Sequence, residues 1–178
     1  MAPANSDEAW RRWGESDPYY GVLAADRFRT ESIDDHREEF WRLGGLQVRD
    51  RTDGPERLLG RVARGRALDF GCGVARLSMP LARRFAQVVS LDISPAMLAE
   101  ARKNAADAGL GNIRFALSDD GLREAAGRYD FVMSFIVFQH IPVARGMQIM
   151  RTLFDRVAPG GVVALDVCFD RGDTPGQA

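Results

Sequence analysis

Two acidic residues end two short apolar runs, and the residues just after each of them can bring a ligand close. Asp69 is followed by Phe70-Gly71-Cys72-Gly73, and Asp92 by Ile93-Ser94. Gly71 and Gly73 let the backbone approach a ligand that side chains would hold away; a tight packing turn needs the same glycines. The third glycine of the dinucleotide fingerprint is absent, with Arg76 in its place. Asp69 stands two residues before Gly71, close to where a pyrophosphate would lie. Its charge repels a diphosphate and attracts a cation. Asp92 follows Gly73 by nineteen residues, a position from which a carboxylate accepts both hydroxyls of a ribose. Ile93 is then placed to pack on the base. A helix-capping or turn role suits Asp92 equally, because Ser94 opens a helix. Together these residues describe a crevice for a cationic, phosphate-free nucleoside.

For those side chains to converge, the runs that carry them must be neighbouring strands of one sheet. From Arg66 onward short apolar runs alternate with amphipathic stretches. Strands are expected at residues 66–70, 87–92, 112–117, 129–135 and 162–169. A helix is expected over 74–85, with Leu77, Leu81 and Phe85 on one face and Pro80 as a weak point. A second follows Ser94-Pro95, a hydroxyl N-cap with proline at the first helical position, and stops at Gly109. A third carries Val143, Met147, Met150, Phe154 and Val157, and Pro159-Gly160-Gly161 is expected to break it. The alternation predicts an α/β fold, Rossmann-like, with a mostly parallel sheet and helices on both faces. Residues 1–60 are polar and aromatic-rich, with a helix over 34–43 closed by Gly44-Gly45 and another over 55–62 capped by Asp53. They read as an N-terminal helical, aromatic lid segment. Residues 61–170 read as the ligand-binding domain and 171–178 as a polar tail.

The bulk numbers fit one soluble domain. The chain has 178 residues, 46% hydrophobic and 28% charged. Its 24 basic and 25 acidic residues leave a net charge of −1, which argues against a nucleic-acid partner. Cys72 and Cys168 form no metal-ligand spacing, so neither a disulfide framework nor a metal site is expected. The N-terminus lacks a signal-peptide pattern and the apolar run 131–138 is too short to span a bilayer. A cytoplasmic location with no membrane partner is the expectation.

Among nucleoside cofactors, S-adenosylmethionine carries an ammonium and a sulfonium and no phosphate, so Asp69 favours it over NAD. Leu68-Asp69-Phe70-Gly71-Cys72-Gly73, Ser90-Leu91-Asp92-Ile93-Ser94, Ser118-Asp119-Asp120, Tyr129-Asp130-Phe131-Val132 and residues 153–161 resemble, in order and spacing, the successive motifs of class I methyltransferases. The resemblance covers about residues 62–169. It implies that Asp119 hydrogen-bonds the adenine amino group, with the backbone near Asp120 completing that contact. It implies too that carbonyls around Gly71 and Ser134 hold the methionine ammonium. Asp119 and Asp120 suit a capping role as well.

Methyl transfer is an in-line displacement at a sulfonium methyl. Positioning of the acceptor supplies most of the rate, and a base is needed only where the acceptor must lose a proton. The stretch 134–141 follows the fourth strand and is expected to face the acceptor pocket; His140 is its best-placed titratable group, although a histidine there also suits a structural role in the loop before Pro142. Trp10, Trp13, Tyr19, Tyr20 and Phe28 are candidates for a lid, with Tyr19 or Tyr20 offering a hydroxyl to the methionine carboxylate. The expected acceptor is a small molecule methylated on oxygen or nitrogen. The family's sheet continues past the fifth strand, where this chain stops. The chain is therefore expected to be a fragment, or to complete its sheet as a homodimer, and a non-catalytic cofactor-binding or interaction domain is the alternative.

Overall fold

The computed structural model describes residues 6–167. Five strands, β1 (Arg66–Phe70), β2 (Gln87–Asp92), β3 (Ile113–Leu117), β4 (Tyr129–Ser134) and β5 (Val157–Leu165), form one sheet. Its order is β3-β2-β1-β4-β5 and every pairing is parallel. Parallel strands buried on both faces need mostly apolar sequence, and β1 supplies it with Ala67, Leu68 and Phe70, all buried, around the one acid, Asp69. Alternate residues serve opposite cores. Ala67, Val88, Phe131 and Met133 pack with Val48 and Leu81 on one face. Leu68, Phe70, Leu91 and Val132 pack with Ile149 and Leu153 on the other.

Helices α1 (Ser6–Ser16), α2 (Pro18–Val22), α3 (Ile33–Leu59), α4 (Ser78–Ala82), α5 (Pro95–Asp107) and α6 (Val143–Asp155) surround the sheet. The Ser94 hydroxyl caps α5 by accepting from the Met97 N–H at 3.3 Å, with Pro95 at the first turn. Because the connection order turns back between β1 and β4, the carboxyl ends of those two strands part and leave a crevice at the switch point. No helix among the described residues is long and apolar enough to cross a membrane.

Three expectations about the elements are corrected. The two short helices over 34–43 and 55–62 are one helix, α3, which runs through Gly44-Gly45 and holds Pro55 and Asp53 inside it. Gly44 is there for proximity: a Cβ would overlap the Arg76 carbonyl oxygen and lie 2.9 Å from its Cγ. The helix over 74–85 contracts to α4, five residues, preceded by turns. Pro80 has no N–H for the Arg76 carbonyl four residues earlier, and this is the carbonyl against which Gly44 packs. Val157 and the Pro159-Gly160 pair belong to β5, not to a helix and its break. The register slips between Tyr129↔Val157 and Phe131↔Val162, so the extra residues bulge out, with Gly160 at φ 75°. Cys168, Phe169 and the tail 171–178 lie outside the described residues.

The two glycines of α3 give opposite expectations. Gly45→Ala meets nothing within 4 Å and is expected to stabilise the chain by about 0.5–1 kcal/mol through helix propensity. Gly44→Ala is expected to lose about 1–2 kcal/mol net, because overlap with backbone costs more than propensity returns. Paired denaturant melts read the difference.

Candidate functional site

The left-handed turn after β1 begins the site. Gly71 and Gly73 sit at φ 79° and 51°, values that L side chains rarely adopt. The Gly71 and Cys72 N–H groups both donate to the Leu91 carbonyl, at 2.8 and 2.9 Å. That pins the turn to the end of β2. Space is short as well as conformation: a Cβ on Gly71 would overlap Val137, and one on Gly73 would overlap Val22. The turn is thus covered from two sides, by the segment after β4 and by α2.

Asp92, at the end of β2, faces this turn. Its two carboxylate oxygens accept from the Gly73 N–H at 2.8 Å and the Ser94 N–H at 2.9 Å. Burial raises its pKa, opposed by those backbone N–H groups. A carboxylate has about four acceptor positions, so acceptor capacity remains. Asp69 is buried beside it and accepts from the Ser78 hydroxyl at 2.6 Å. Desolvation pushes its pKa up to about 6, with Ser78 pulling down and the charge of Asp92 pushing up. Cys72 is buried and burial pushes its thiol well above the usual range, so it acts as a wall and not as a thiolate.

One cavity of about 1000 Å³, its open mouth included, joins these groups. Asp69, Gly71, Cys72, Gly73, Asp92, Ile93, Asp119, Asp120 and His140 all line it. Asp119 accepts from the Arg123 backbone N–H at 3.1 Å and from its guanidinium at 2.6 Å, the capping role that the sequence allows. Asp120 binds Arg145, which also reaches Asp7 at 2.6 Å and so ties α1 to α6 across the mouth. His140 meets the Trp10 ring edge-on, centroids 4.6 Å apart. Ile136, also in the wall, is held at φ 58°, a strained state for a β-branched residue of the kind that collects at functional sites.

Two expected members are not brought in. Ser134 does not line the cavity. Its hydroxyl donates to the Phe70 carbonyl at 2.9 Å and its carbonyl accepts from the Asp166 N–H at 3.0 Å, which ties β1, β4 and the end of β5 together. Tyr20 turns away, its ring under the Arg29 guanidinium at 3.9 Å and against Trp13. Tyr19 and Phe28 pack with Phe40 in a side core, and the Tyr19 hydroxyl is spent on Glu100, Asn104 and Arg37. Of the aromatic lid residues, Trp10 alone reaches the cavity, joined by Ser6, Asp7, Gly21 and Val22. Sequence reasoning misses Arg76 as a wall residue, whereas Phe135 and Val137 lie in the stretch 134–141 that the sequence places against the acceptor pocket. The only sequence signal for Arg76 is its place where a third glycine belongs.

Comparison with known proteins agrees with this geometry. Residues 67–161 match the family described as methyltransferase domain. The ubiquinone biosynthesis O-methyltransferase of Ruegeria pomeroyi is 36% identical over 103 residues, 58% of this chain and 40% of that protein. The trans-aconitate 2-methyltransferase of Methylobacterium radiotolerans is 36% identical over 123 residues, 66% of this chain and 45% of that one. The chain thus spans less than half the length of these two relatives. Among solved structures, the S-adenosylmethionine-bound amino pentose methyltransferase CalS10 of Micromonospora echinaspora superposes with a TM-score of 0.61 at 27% identity, over 76% of this chain and 54% of that chain. With a parallel sheet, a glycine turn and a second-strand carboxylate that converge as this family's motifs require, the chain belongs to the class I S-adenosylmethionine-dependent methyltransferases.

Proposed function

We propose that this chain binds S-adenosylmethionine across the carboxyl ends of β1 and β2 and directs its methyl group to an oxygen or nitrogen of a small-molecule acceptor. One observation carries the reading: two buried carboxylates, Asp69 and Asp92, flank a glycine-rich turn in a single cavity. The chemistry of that donor set fits the cofactor. Asp92 has acceptor positions left for a ribose. Ile93 offers an apolar face to adenine and Asp119 an acceptor to its amino group. The charge of Asp69 suits the ammonium and sulfonium.

When bound, the cofactor supplies an activated methyl on a cationic sulfur, and the chain's own task is to orient the acceptor and exclude water. His140 is the group we assign to proton removal, for acceptors that must lose one. A small-molecule acceptor agrees with the net charge of −1 and with relatives named for ubiquinone biosynthesis, trans-aconitate and an amino pentose.

Calorimetry with S-adenosylhomocysteine and with NADH tests the binding, and release of labelled methyl to phenols, carboxylic acids and amines tests the transfer. One-to-one binding of S-adenosylhomocysteine and none of NADH is expected. Binding of NADH alone would overturn the reading. Cofactor binding without transfer to any of these acceptors would favour a non-catalytic binding domain.

A further inference from the structure

Arg76 is 2% exposed, yet among the described residues its guanidinium has only one hydrogen bond, from Nη1 to the Gln47 side-chain oxygen at 2.6 Å. Its Nε is buried with no partner among the described residues. No carboxylate among the described residues lies within ion-pair distance of it; Asp69 acts on it only through space. A second guanidinium makes the arrangement less favourable. Arg51, on α3, lies over the Phe135 ring at 4.3 Å, and Arg76 lies 5.9 Å from the same ring. Burial pulls the pKa of Arg76 down to about 10, with Asp69 opposing and Arg51 adding to the fall, so it is still charged at neutral pH. The faces of Phe40 and Phe135 offset part of the cost. They do not replace an acid, and a buried unpaired charge is expensive to keep.

Both Arg76 and Phe135 line the cavity, so the missing partner can come from a ligand. We propose that Arg76, supported by Arg51 behind Phe135, is a carboxylate-binding subsite beside Asp69, an inference that rests on the nucleoside reading above. A planar guanidinium fork matches a carboxylate, and the negative charge of Asp69 disfavours a phosphate in the same place. The carboxylate belongs either to the amino-acid end of the cofactor, whose ammonium then faces Asp69, or to an acidic acceptor.

Three probes share one nucleoside thioether: S-adenosylhomocysteine, its decarboxylated amine and 5′-methylthioadenosine. If the cofactor supplies the carboxylate, the native chain binds S-adenosylhomocysteine about tenfold or more tightly than the decarboxylated amine. In Arg76→Met that preference falls to within about twofold. If the acceptor supplies it, the native chain shows no such preference, and malonate raises the melting temperature of its S-adenosylhomocysteine complex but not that of Arg76→Met. A native chain with neither response, or an Arg76→Met variant that keeps the native response, overturns the subsite. Unchanged affinity for 5′-methylthioadenosine shows that the variant retains its fold and nucleoside site. Should Arg76→Met not fold, Arg51→Gln replaces a half-buried residue and is expected to weaken the same response about threefold; an undiminished response overturns the proposal. Failure of the native chain to bind even 5′-methylthioadenosine would instead sink the nucleoside reading, and the subsite with it.

Discussion

Asp92→Asn is expected to lose about a hundredfold or more in affinity for S-adenosylhomocysteine while losing only a few degrees of thermal stability. The two effects have separate origins. Both oxygens of Asp92 are already engaged by backbone N–H groups, those of Gly73 and Ser94. An amide keeps one acceptor oxygen and turns an –NH₂ donor toward the other N–H. One buried donor is then unsatisfied, at about 1–3 kcal/mol. Relief from burying a charge, visible as the raised pKa of Asp92, returns part of that. A net loss of about 1–2 kcal/mol lowers the melting temperature by about 2–8 °C for a domain this size. Ribose binding has no such compensation, because the amide nitrogen cannot accept a hydroxyl and the loop it held is released. 5′-Methylthioadenosine, which shares the ribose, should lose affinity in parallel. Calorimetry reads the affinities and a thermal melt reads the fold. A variant that binds within threefold of the native chain would remove Asp92 from the ribose.

The chain order of the fold and both carboxylates of the site are legible in the sequence because local signals and tertiary structure agree there. Gln87–Asp92 is an apolar run closed by a serine cap and a proline, and each neighbour restricts the others. The errors fall where a residue answers to something distant in sequence. Gly44 reads as a helix stop until the Arg76 carbonyl is seen against it. Pro159-Gly160 reads as a break until the bulge against β4 is seen. Arg76 reads as a missing glycine, and the turn's extra left-handed residue is in fact Ala75, at φ 73°. Asp119 and Asp120 do line the cavity, but while Arg123 stands four residues after Asp119, Arg145 carries no spacing signal by which sequence could pair it with Asp120. Burial and pairing of charge are properties of the assembled molecule.

Asp69 gives the second large effect, in which stability and binding respond to pH in opposite directions. Its pKa in the folded chain is about 6, raised above the ordinary carboxylate range chiefly by desolvation. The folded state therefore holds this proton more tightly than the unfolded chain does. Its contribution to stability is fully present below pH ~4 and is lost as pH rises through ~6. The carboxylate that remains at pH 7 costs on the order of 2–3 kcal/mol. Asp69→Asn removes that cost, since its side-chain oxygen still accepts from Ser78, so the variant is expected to be more stable than the native chain at pH 7–8. The margin should shrink as pH falls toward 4. Asp119, its pKa lowered by Arg123, slopes the opposite way and Asp92, raised by burial, the same way, so the pH dependence of Asp69 is read from the difference between the two proteins. Binding reverses the sign. A cationic nucleoside is attracted to the ionised carboxylate, so affinity for S-adenosylmethionine should fall as pH drops from 7 to 5, by about tenfold, in the native chain alone. Denaturant melts and calorimetry at matched pH values measure both. Parallel pH slopes of affinity in the two proteins would show that Asp69 does not meet the ligand's charge. Opposed slopes of stability and affinity would mean that the chain tolerates a destabilising buried charge because a cation completes it.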